Sequence, residues 1–492
     1  MSTIRVRIAP SPSGFLHIGT AKIALFNWLY ARRTGGTFIL RLEDTDAERS
    51  SEEYAEAMCE GFRWLGIDWD EGPEFAGQPE KGAFGPYRQS QRKDTHVKEA
   101  LRLLAEGKAY KCFCTKEELD AMREQAAAEK RPPRYSGKWR NATPDQIAAM
   151  GDAPFTIRFR VPEGETIIED LVQGTVRVDN KEFDDFIILK GTGEPIFHLA
   201  VVVDDGLMKV THILRGDDHL TNAARHVMLF NALGYDLPKF AHLPMVLDEQ
   251  GKKYSKRLHG ANVLDWRDDG YLPEALVNYV ALLGWTPSED QEIFTKDELV
   301  HAFDINRLGQ SAAKFDVKKL QWLNGQHIRK MTPAELFDRC LPILNNAGFN
   351  TAARSREWLT NMVSICQEKI GTLNEIVAYT DFFFSEPETY EEKAVRKQFQ
   401  ADGAKDRMVL LIAALEQTHQ WTRETIKAAY DQIVADKGLS IGQLVHPTRL
   451  ALTGKSVGPG LFELADLLGK EPSLTRMRKA LAYIESIGAS GQ

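Results

Sequence analysis

The stretch that decides the fold is IRVRIAPSPSGFLHIGT, residues Ile4–Thr20. Its first five residues alternate apolar and basic side chains, which predicts a β-strand, and the prolines of Ala9–Gly14 end that strand. Thr20 is predicted to cap a helix over residues 21–33, which a glycine pair then stops. Phe38–Leu42 resumes strand composition, so the segment predicts a βαβ unit with parallel strands and a right-handed crossover.

Beyond this unit the pattern changes twice. An α+β insertion is predicted at about residues 115–193, with one charged helix (Lys116–Lys130) and short strands at Thr156–Val161, Thr175–Val178 and Asp185–Leu189. Strand and helix patterns then alternate again, with strands at Phe197–Val203, Val210–Leu214 and Leu243–Leu247 and a helix at His219–Leu233.

From about residue 272 onward the apolar spacing is helical almost throughout. The predicted helices lie near Pro273–Leu283, Pro333–Ala347, Ser355–Tyr379, Arg407–Glu416 and Thr422–Asp436. The predicted fold class is therefore α/β: a Rossmann-type parallel-sheet domain with an α+β insertion, followed by all-helical domains.

Length and composition limit the possible classes of protein. A chain of 492 residues is too long for one core and predicts three or four domains. Five cysteines make a disulfide framework improbable, and no window approaches the roughly 18 apolar residues of a membrane helix. Without a secretion-signal pattern we expect a cytoplasmic protein. The net charge of −8 disfavours a nucleic-acid partner without excluding one, because binding depends on local patches.

Two clusters carry candidate chemistry. In the first, His17 and Gly19 lie before the first helix, where a helix N-terminus attracts anions and glycine permits close approach of a ligand. The alternative for a His-x-Gly pattern alone, a sharp turn with a buried histidine, is the commoner one. In the second, Gly251–Arg257 carries four cations around the hydroxyl of Ser255. It is either a solvated basic loop or a mobile loop that neutralises a triphosphate.

Together and in this order, the clusters resemble the HIGH and KMSKS motifs of class I aminoacyl-tRNA synthetases. Further motifs resemble those of bacterial glutamyl-tRNA synthetases: RIAPSP (Arg7–Pro12), RLEDTD (Arg41–Asp46), GPYRQS (Gly85–Ser90), VVDD (Val202–Asp205), RGDDH (Arg215–His219), KYSKR (Lys253–Arg257) and, in the anticodon-binding region, TRLALTG (Thr448–Gly454). The resemblance covers essentially the whole chain.

The resemblance implies a glutamate–tRNA ligase that attaches L-glutamate to the 3′ end of tRNA(Glu) in two steps through glutamyl-adenylate. ATP is converted to AMP and pyrophosphate, with Mg²⁺ sharing the charge stabilisation. A monomer is expected. The implied domains are the catalytic domain in two halves (1–115 and 194–260), an acceptor-end-binding insertion (116–193), a stem-contact domain (261–330) and a helical anticodon-binding region (331–492).

The resemblance also implies roles for individual residues. The implied catalytic residues are His17, Gly19, Lys253, Ser255 and Lys256. The implied ATP contacts are His17, Gly19, Thr20, Asp218 and Lys256. The implied glutamate site comprises Arg7 and Arg215 for the side-chain carboxylate, Glu43 for the α-ammonium, and Ala9, Ser11, Phe197 and Val201 as lining residues. Glutamine would be rejected because its neutral amide leaves buried guanidinium charge unpaired, at about 1–3 kcal/mol or more.

Several departures from the family pattern stand out. Phe197 replaces a usual Tyr, Val201 replaces an Asn found in some relatives, and Tyr254 replaces a smaller apolar residue. Cys112 and Cys114 match a zinc-binding pair, but both downstream partners are lost, so no zinc and no other metal site in the protein is predicted.

For tRNA, Arg449 matches an anticodon-contacting position. Trp358, Trp421 and Phe462 could stack on bases, but at helical spacing each is expected in the core. Some relatives carry Arg where Lys369 falls, so an enzyme that also charges tRNA(Gln) with glutamate is the alternative.

Four other classes of protein are less consistent with the sequence. Glutaminyl-tRNA synthetases have β-barrels where residues 333–488 read as helices, and the short paralogue that modifies a tRNA base has no anticodon region. A non-catalytic relative should have lost His17, Lys253 or Lys256. An oxidoreductase should carry Gly-x-Gly-x-x-Gly after the first strand, which this chain lacks.

Overall fold

The computed structural model describes residues 3–46, 48–130, 132, 134–254 and 262–489. The chain divides into two compact units: unit 1 holds Met1–Trp266 and Leu276–Asp316, and unit 2 holds Arg267–Ala275 and Val317–Gln492. Among the described residues, no helix is both long enough and apolar enough to cross a membrane.

The described strands all lie in unit 1. They are β1 (Arg5–Ile8), β2 (Thr37–Leu40), β3 (Ala109–Cys112), β4 (Thr156–Phe159), β5 (Glu165–Asp170), β6 (Gly174–Asp179), β7 (Ile187–Leu189), β8 (His212–Gly216), β9 (Lys239–Leu243), β10 (Val246–Leu247) and β11 (Ala313–Lys314).

The helices before residue 317 connect or flank these strands. They are α1 (Ile18–Thr34), α2 (Glu52–Trp64), α3 (Lys93–Ala105), α4 (Lys116–Ala128), α5 (Pro144–Ala148), α6 (Phe197–Leu207), α7 (Leu220–Leu233), α8 (Val263–Asp268), α9 (Pro273–Leu282) and α10 (Lys296–Ala302). Short 3₁₀ turns lie at Gln89–Arg92, Asn180–Glu182, Asp217–His219 and Ile305–Arg307.

The parallel core of unit 1 is built from two strand pairs. β1 pairs with β2 and β8 pairs with β9, both in parallel. The two pairs meet where the Thr211 amide donates to the Arg5 carbonyl at 2.9 Å. Helix α1 connects β1 to β2, which confirms the predicted βαβ unit. Ile8 at the carboxyl end of β1 and Gly216 at that of β8 line one cleft, so the two strand ends lie at the same edge.

The predicted insertion is also present as an α+β segment. Strands β3, β4 and β7 form an antiparallel sheet, and β5 and β6 form a hairpin. The end of this hairpin returns to the parallel core, because Asp170 of β5 bridges Phe240 of β9 in parallel. Asp170 is thereby brought beside the strand that also carries His242.

Unit 2 is helical, as predicted, and no strand follows Lys314 in the described part of the chain. Its helices are α11 (Val317–Lys330), α12 (Pro333–Asn346), α13 (Arg356–Cys366), α14 (Ile376–Phe384), α15 (Glu392–Ala394), α16 (Ala404–Glu416), α17 (Arg423–Lys437), α18 (Gly442–Thr453), α19 (Leu461–Leu468) and α20 (Lys470–Ala489), with 3₁₀ turns at Thr351–Ala353, Gln367–Lys369 and Leu373–Glu375 and a π-helical turn at Val395–Phe399. They surround one apolar core.

The strand predicted at Phe197–Val203 is wrong: this segment begins helix α6. A short run of buried apolar residues is compatible with either a strand or a helix, and its length decides between them. Here the helix continues through Asp204 and Asp205, which are buried in the same unit and hydrogen-bonded to cationic side chains. The burial of these two carboxylates is a tertiary feature that the apolar run did not reveal.

Three helix and strand boundaries also differ from the prediction. Helix α1 begins at Ile18 with His17 as its N-cap, whereas the sequence predicted Thr20 as the cap. The predicted strand Leu243–Leu247 is divided by Pro244, which has no amide hydrogen for a sheet. The single helix predicted at 355–379 is broken after Cys366 by 3₁₀ turns on either side of Gly371.

Candidate active site

A cleft of about 330 Å³ opens at the carboxyl ends of β1 and β8. This is the edge at which parallel α/β sheets bind their ligands. Every described residue that was predicted to contact ATP or glutamate lines it: Arg7, Ala9, Ser11, His17, Gly19, Thr20, Glu43, Phe197, Val201, Arg215, Asp218 and Lys253. Ser255 and Lys256, also predicted, lie outside the described residues.

The His17 side chain caps the N-terminus of α1 and lines the cleft. Its Nδ1 accepts the Thr20 amide hydrogen at 3.3 Å, and its Nε2 lies 3.0 Å from the Thr20 hydroxyl. A Cβ atom at Gly19 would lie 3.1 Å from the same ring, which explains why glycine suits this position. The helix N-terminus thus presents amide hydrogens and a partial positive charge to the cleft.

The basic segment Gly251–Arg257 (the lysine loop) follows β10, and its Lys253 lines the cleft. Leu247 of β10 bridges Lys253, and the Lys253 ammonium donates to Asp218 Oδ2 at 3.1 Å. Burial alone would raise the pKa of Asp218, but the hydrogen bond and charge of Lys253 outweigh it and lower that pKa. Both side chains are about half exposed, so the ammonium can exchange its partner for a phosphate oxygen.

Arg7 lies in a buried ionic network. Its Nε contacts both Asp205 oxygens at 3.2 Å, and Arg41 Nη1 donates to Asp205 Oδ1 at 2.7 Å. Arg41 Nη2 also lies 3.4 Å from Glu43 Oε1. Burial outweighs the charges of Arg41 and Arg7 and raises the pKa of Glu43 to about 7. Glu43, at this end of the network, therefore changes between its ionised and neutral forms near pH 7.

Asp204 anchors the other end of this network. It accepts hydrogen bonds from Arg92 Nε at 2.5 Å, His96 Nε2 at 2.8 Å and Gln89 Nε2 at 2.9 Å. Burial would raise the pKa of Asp204, but the hydrogen bond from His96 and the charges of Arg41 and Arg92 lower it to about 2. Asp204 thus stays ionised and fixes the buried end of α6.

Arg215 has a different environment. Its Nε donates to His242 Nε2 at 3.0 Å, its Nη1 lies 3.0 Å from His226 Nδ1, and its Nη2 donates to the His219 carbonyl at 3.2 Å. Among the described residues, no carboxylate oxygen lies within 4.0 Å of this guanidinium. Burial and the nearby charge of Arg7 outweigh the more distant charges of Asp205, Glu43 and Asp170 and lower the pKa of Arg215 to about 9.

The cleft combines two guanidinium groups (Arg7 and Arg215), two carboxyl groups (Glu43 and Asp218), a helix N-terminus and the half-exposed ammonium of Lys253. Such a set fits a ligand that carries a carboxylate and an ammonium beside a ligand that carries phosphates. Residues 3–322 match the family model "tRNA synthetases class I (E and Q), catalytic domain", and residues 335–481 match "Anticodon binding domain". The chain belongs to this class I tRNA synthetase family.

Relatives of this synthetase carry a more specific name. The chain is 43% identical to "Glutamate–tRNA ligase 2" of Thermoanaerobacter pseudethanolicus, covering 99% of this chain and 100% of the relative. It is 45% identical to "Glutamate–tRNA ligase 1" of Caldanaerobacter subterraneus, covering 99% of each. A crystal structure of a glutamate tRNA ligase from Elizabethkingia meningosepticum, solved in complex with its amino acid, matches with a TM-score of 0.89 at 32% identity, covering 98% of this chain and 99% of that one.

Three of the residues described as departures from the family pattern, Phe197, Val201 and Tyr254, line the synthetase cleft. Phe197 is 38% exposed, and its ring centroid lies 6.1 Å from that of His219 and 6.0 Å from that of His226. Val201 is buried and lines the cleft one helical turn further. The Tyr254 ring packs 4.8 Å from that of Phe315, so the larger side chain of the lysine loop has an apolar partner.

Sequence reasoning missed a buried lysine of this synthetase. Lys22 lies on α1, lines the cleft, and donates from Nζ to the Pro244 carbonyl at 2.8 Å. Burial lowers its pKa to about 8. This hydrogen bond connects helix α1 to Pro244, which lies between β9 and β10. A lysine within an apolar helical run was the only available signal.

Sequence reasoning also missed the side chains that position the two arginines. These are Arg41, Asp205, Asp170, His226 and His242. The first two belong to quoted motifs, but their contacts join elements far apart in sequence. Nothing in the local pattern indicated a role for the other three.

The predicted anticodon residue lies in unit 2. Arg449 of α18 is half-buried, and its Nη1 donates to the Pro459 carbonyl. Trp358 and Trp421 pack against the unit 2 core, and their indole nitrogens donate to Leu467 O at 3.0 Å and Ala465 O at 2.8 Å. Phe462 packs against the same core, as expected for all three aromatic residues.

The cysteine pair of the insertion lies at the end of β3. Cys112 Sγ lies 3.5 Å from the Tyr135 hydroxyl, and the Arg158 guanidinium lies 3.8 Å above the Tyr135 ring. Across the ranges that the structure describes, no group of three or more His, Cys, Asp or Glu could hold a metal ion. The expectation that this protein binds no zinc stays a prediction.

Proposed function

We propose that this protein attaches L-glutamate to the 3′ end of tRNA(Glu) with ATP as the energy source. The observation that carries the proposal is the meeting, in one cleft, of the Arg7–Arg215 pair with the His17 helix N-terminus and Lys253. The family and the names of the relatives support the same activity.

In the first step the α-carboxylate of glutamate attacks the α-phosphorus of ATP. A phosphorus–oxygen bond forms to give glutamyl-adenylate, and pyrophosphate leaves. We propose that the N-terminus of α1 and His17 bind the nucleotide, while Lys253 leaves Asp218 to follow the developing charge on the phosphates. The nucleophile is already an anion, so the cleft needs no general base.

Glutamate recognition is proposed to depend on both arginines. A guanidinium pairs bidentately with a carboxylate, and Arg215 has no carboxylate partner within reach in the described chain. Glu43 is proposed to meet the α-ammonium, with Ala9, Ser11, Phe197 and Val201 lining the space. Arg7, held by Asp205, adds the second positive charge.

In the second step a terminal ribose hydroxyl of tRNA attacks the carbonyl carbon of the adenylate, and AMP leaves. We propose that the insertion (116–193) contacts the acceptor end, residues 261–330 the stem and residues 331–492 the anticodon, with Arg449 among the contacts. The halves 1–115 and 194–260 form the proposed catalytic domain. A cytoplasmic monomer stays a prediction.

Magnesium is proposed to enter as MgATP. The described residues provide no cage of three or more metal ligands. Mg²⁺ bound mainly through substrate phosphates and water needs no such cage. Its proposed contribution is to share the negative charge of the triphosphate.

The test is charging with labelled glutamate, using purified tRNA(Glu) and tRNA(Gln) in separate reactions with ATP and Mg²⁺. Charging of tRNA(Glu) is expected. Charging of both tRNAs would establish the relaxed alternative. Charging of neither would refute the proposal.

Two neighbouring lysines provide a matched pair of variants. K253M should lower the rate of adenylate formation about 100-fold or more, the usual effect of removing one charge-stabilising donor. K252M should leave the rate within about twofold, because Lys252 does not line the cleft. Equal effects of the two substitutions would contradict the role proposed for Lys253.

A further inference from the structure

Arg215 is held by an unusual set of neutral side chains. Two imidazoles and one backbone carbonyl accept its hydrogen bonds, and each imidazole has a further partner behind it. We propose that His242, supported by Asp170, and His226 are positioning residues that hold Arg215 without neutralising it, so that its charge stays available to the side-chain carboxylate of glutamate. This inference rests on the proposed function.

Asp170 determines which nitrogen of His242 carries the hydrogen. Its Oδ2 lies 2.5 Å from His242 Nδ1, and its Oδ1 accepts the amides of Val172 at 2.9 Å and Gln173 at 2.8 Å. Burial would raise the pKa of Asp170, but the hydrogen bonds from His242 and these amides lower it. An ionised carboxylate only accepts, so Nδ1 carries the hydrogen and Nε2 keeps its lone pair for Arg215 Nε.

The same reasoning applies to the second imidazole. Arg215 Nη1 only donates, so His226 Nδ1 must be the acceptor and His226 Nε2 carries the hydrogen. That Nε2 lies 3.1 Å from His198 Nδ1, which accepts in turn. Burial lowers the pKa of His226 well below its usual value and that of His198 to about 4, so both rings are neutral near pH 7.

Two N–H groups of the Arg215 guanidinium remain for a ligand. A guanidinium has five N–H groups. One on Nε, one on Nη1 and one on Nη2 are used within the protein. One N–H on each of the two Nη atoms remains, which is the number that a bidentate carboxylate accepts. Because Arg215 lines the cleft, this remaining pair is proposed to face the side-chain carboxylate of glutamate.

The arrangement differs from an ordinary buried ion pair. A carboxylate in place of His242 or His226 would satisfy the guanidinium and reduce the gain from binding substrate. Neutral acceptors fix its orientation without a direct ion pair, which leaves more of its charge for a ligand, at a cost to the stability of the folded protein. Asp170 contributes its charge one imidazole ring away, where its effect on Arg215 is weaker.

The test distinguishes the loss of the hydrogen-bond acceptor atom from the loss of the histidine side chain as such. Gln places an oxygen near the position of His Nε2, and Asn places one near His Nδ1, so H242Q and H226N keep the acceptor while H242L and H226L remove it. In aminoacylation of tRNA(Glu), the Leu variants should raise the KM for glutamate about 10- to 100-fold. H242Q and H226N should stay within about threefold of the parent, and the KM for ATP should not change.

His212 provides the control. It lies on β8, as Arg215 does, but its ring contacts Tyr30 and Thr211 and takes no part in the cleft. H212N should therefore leave the KM for glutamate unchanged. If the Leu variants raise the KM for ATP as much as that for glutamate, or if H242Q and H226N behave as the Leu variants do, the positioning role is refuted.

A second measurement does not depend on the Leu variants folding. Nitrogen-15 NMR of histidine-labelled protein should show His242, assigned from the signal missing in H242Q, with hydrogen on Nδ1 and a bare Nε2. A hydrogen on Nε2 would overturn the inference. Wild-type protein that charges tRNA(Glu) while the Leu variants retain their glutamate KM would refute only the inference. Wild-type protein that charges no glutamate would refute the proposed function and the inference with it.

Discussion

Arg7 and Arg215 line the same cleft, but the protein treats their charges in opposite ways. Arg7 is 4% exposed and contacts a carboxylate that also binds Arg41. Arg215 is 7% exposed and contacts two imidazoles and a carbonyl. The first environment compensates a buried cation within the folded chain, and the second leaves that compensation to a ligand.

The different environments of Arg7 and Arg215 have different consequences for the stability of the protein and for its function. A paired buried charge is costly to break, because the remaining partner is left without compensation. An unpaired buried charge is costly to keep, and the lowered pKa of Arg215 expresses that cost. We therefore expect substitutions around Arg7 to affect folding most and substitutions at Arg215 to affect glutamate binding most.

The largest expected effect is on catalysis. R215M should lower kcat/KM for glutamate about 100- to 1,000-fold, because the substrate carboxylate loses its buried charged partner. The free energy of unfolding should not fall, since an uncompensated charge is removed. Steady-state charging and urea denaturation measure the two quantities. R177Q, on the exposed hairpin, is the control for both. A large decrease in the free energy of unfolding of R215M would contradict the distinction between the two arginines.

The second prediction concerns stability. D205N should lower the free energy of unfolding by about 3–5 kcal/mol, because in the interior Arg7 loses its carboxylate partner and Arg41 loses the shortest of its ion pairs. D120N removes an exposed pair with Arg123 and should change it by less than about 1 kcal/mol. Urea denaturation of the three proteins provides the comparison. Equal midpoints for D205N and D120N would contradict the role assigned to the ionic network.

The third prediction is a pH dependence of glutamate binding. The pKa of Glu43 is raised to about 7 by burial, against the charges of Arg41 and Arg7. Below pH 7 this carboxyl group gains a proton and no longer attracts the ammonium of glutamate. The KM for glutamate should therefore rise about tenfold from pH 8 to pH 6. E43Q should show a raised KM at both pH values, and a sloping profile for E43Q would assign the dependence to another group.

The smallest expected effect is at Phe197. F197Y adds a hydroxyl to a partly exposed ring beside His219 and His226. One added neutral hydrogen bond to glutamate would lower its KM by about two- to tenfold. Phe15, equally exposed but outside the cleft, supplies the matched control F15Y. An unchanged KM in F197Y would show that the hydroxyl is dispensable in this cleft.

Much of the site could be predicted from patterns that extend over only a few residues of the sequence. Alternation in β1 and the break at the prolines predicted that Arg7 lies beside the ligand loop, the family resemblance added Ala9 and Ser11, and all three line the cleft. Lys253 was predicted to reach the nucleotide side, and it lies in the cleft with Asp218. Those predictions needed only strand periodicity, parallel topology and the motif order that the family resemblance supplied.

Other features could not be derived in this way. The helix at Phe197–Leu207 was taken for a strand, because its apolar run carries no period that distinguishes the two. The His17 cap was missed because the helix begins with a side chain outside the usual capping residues. Both errors concern local choices that packing against the rest of unit 1 decides.

The sequence by itself determined the order of the elements, the strand that carries Arg7 and the loops that carry His17 and Lys253, because turn residues, periodicity and motif spacing act over short distances along the chain. The tertiary structure alone decided which arginine is neutralised. Asp205 is 198 residues from Arg7 in sequence, and Asp170 is 72 residues from His242. Charge compensation depends on distance in space, and only the folded chain sets that distance.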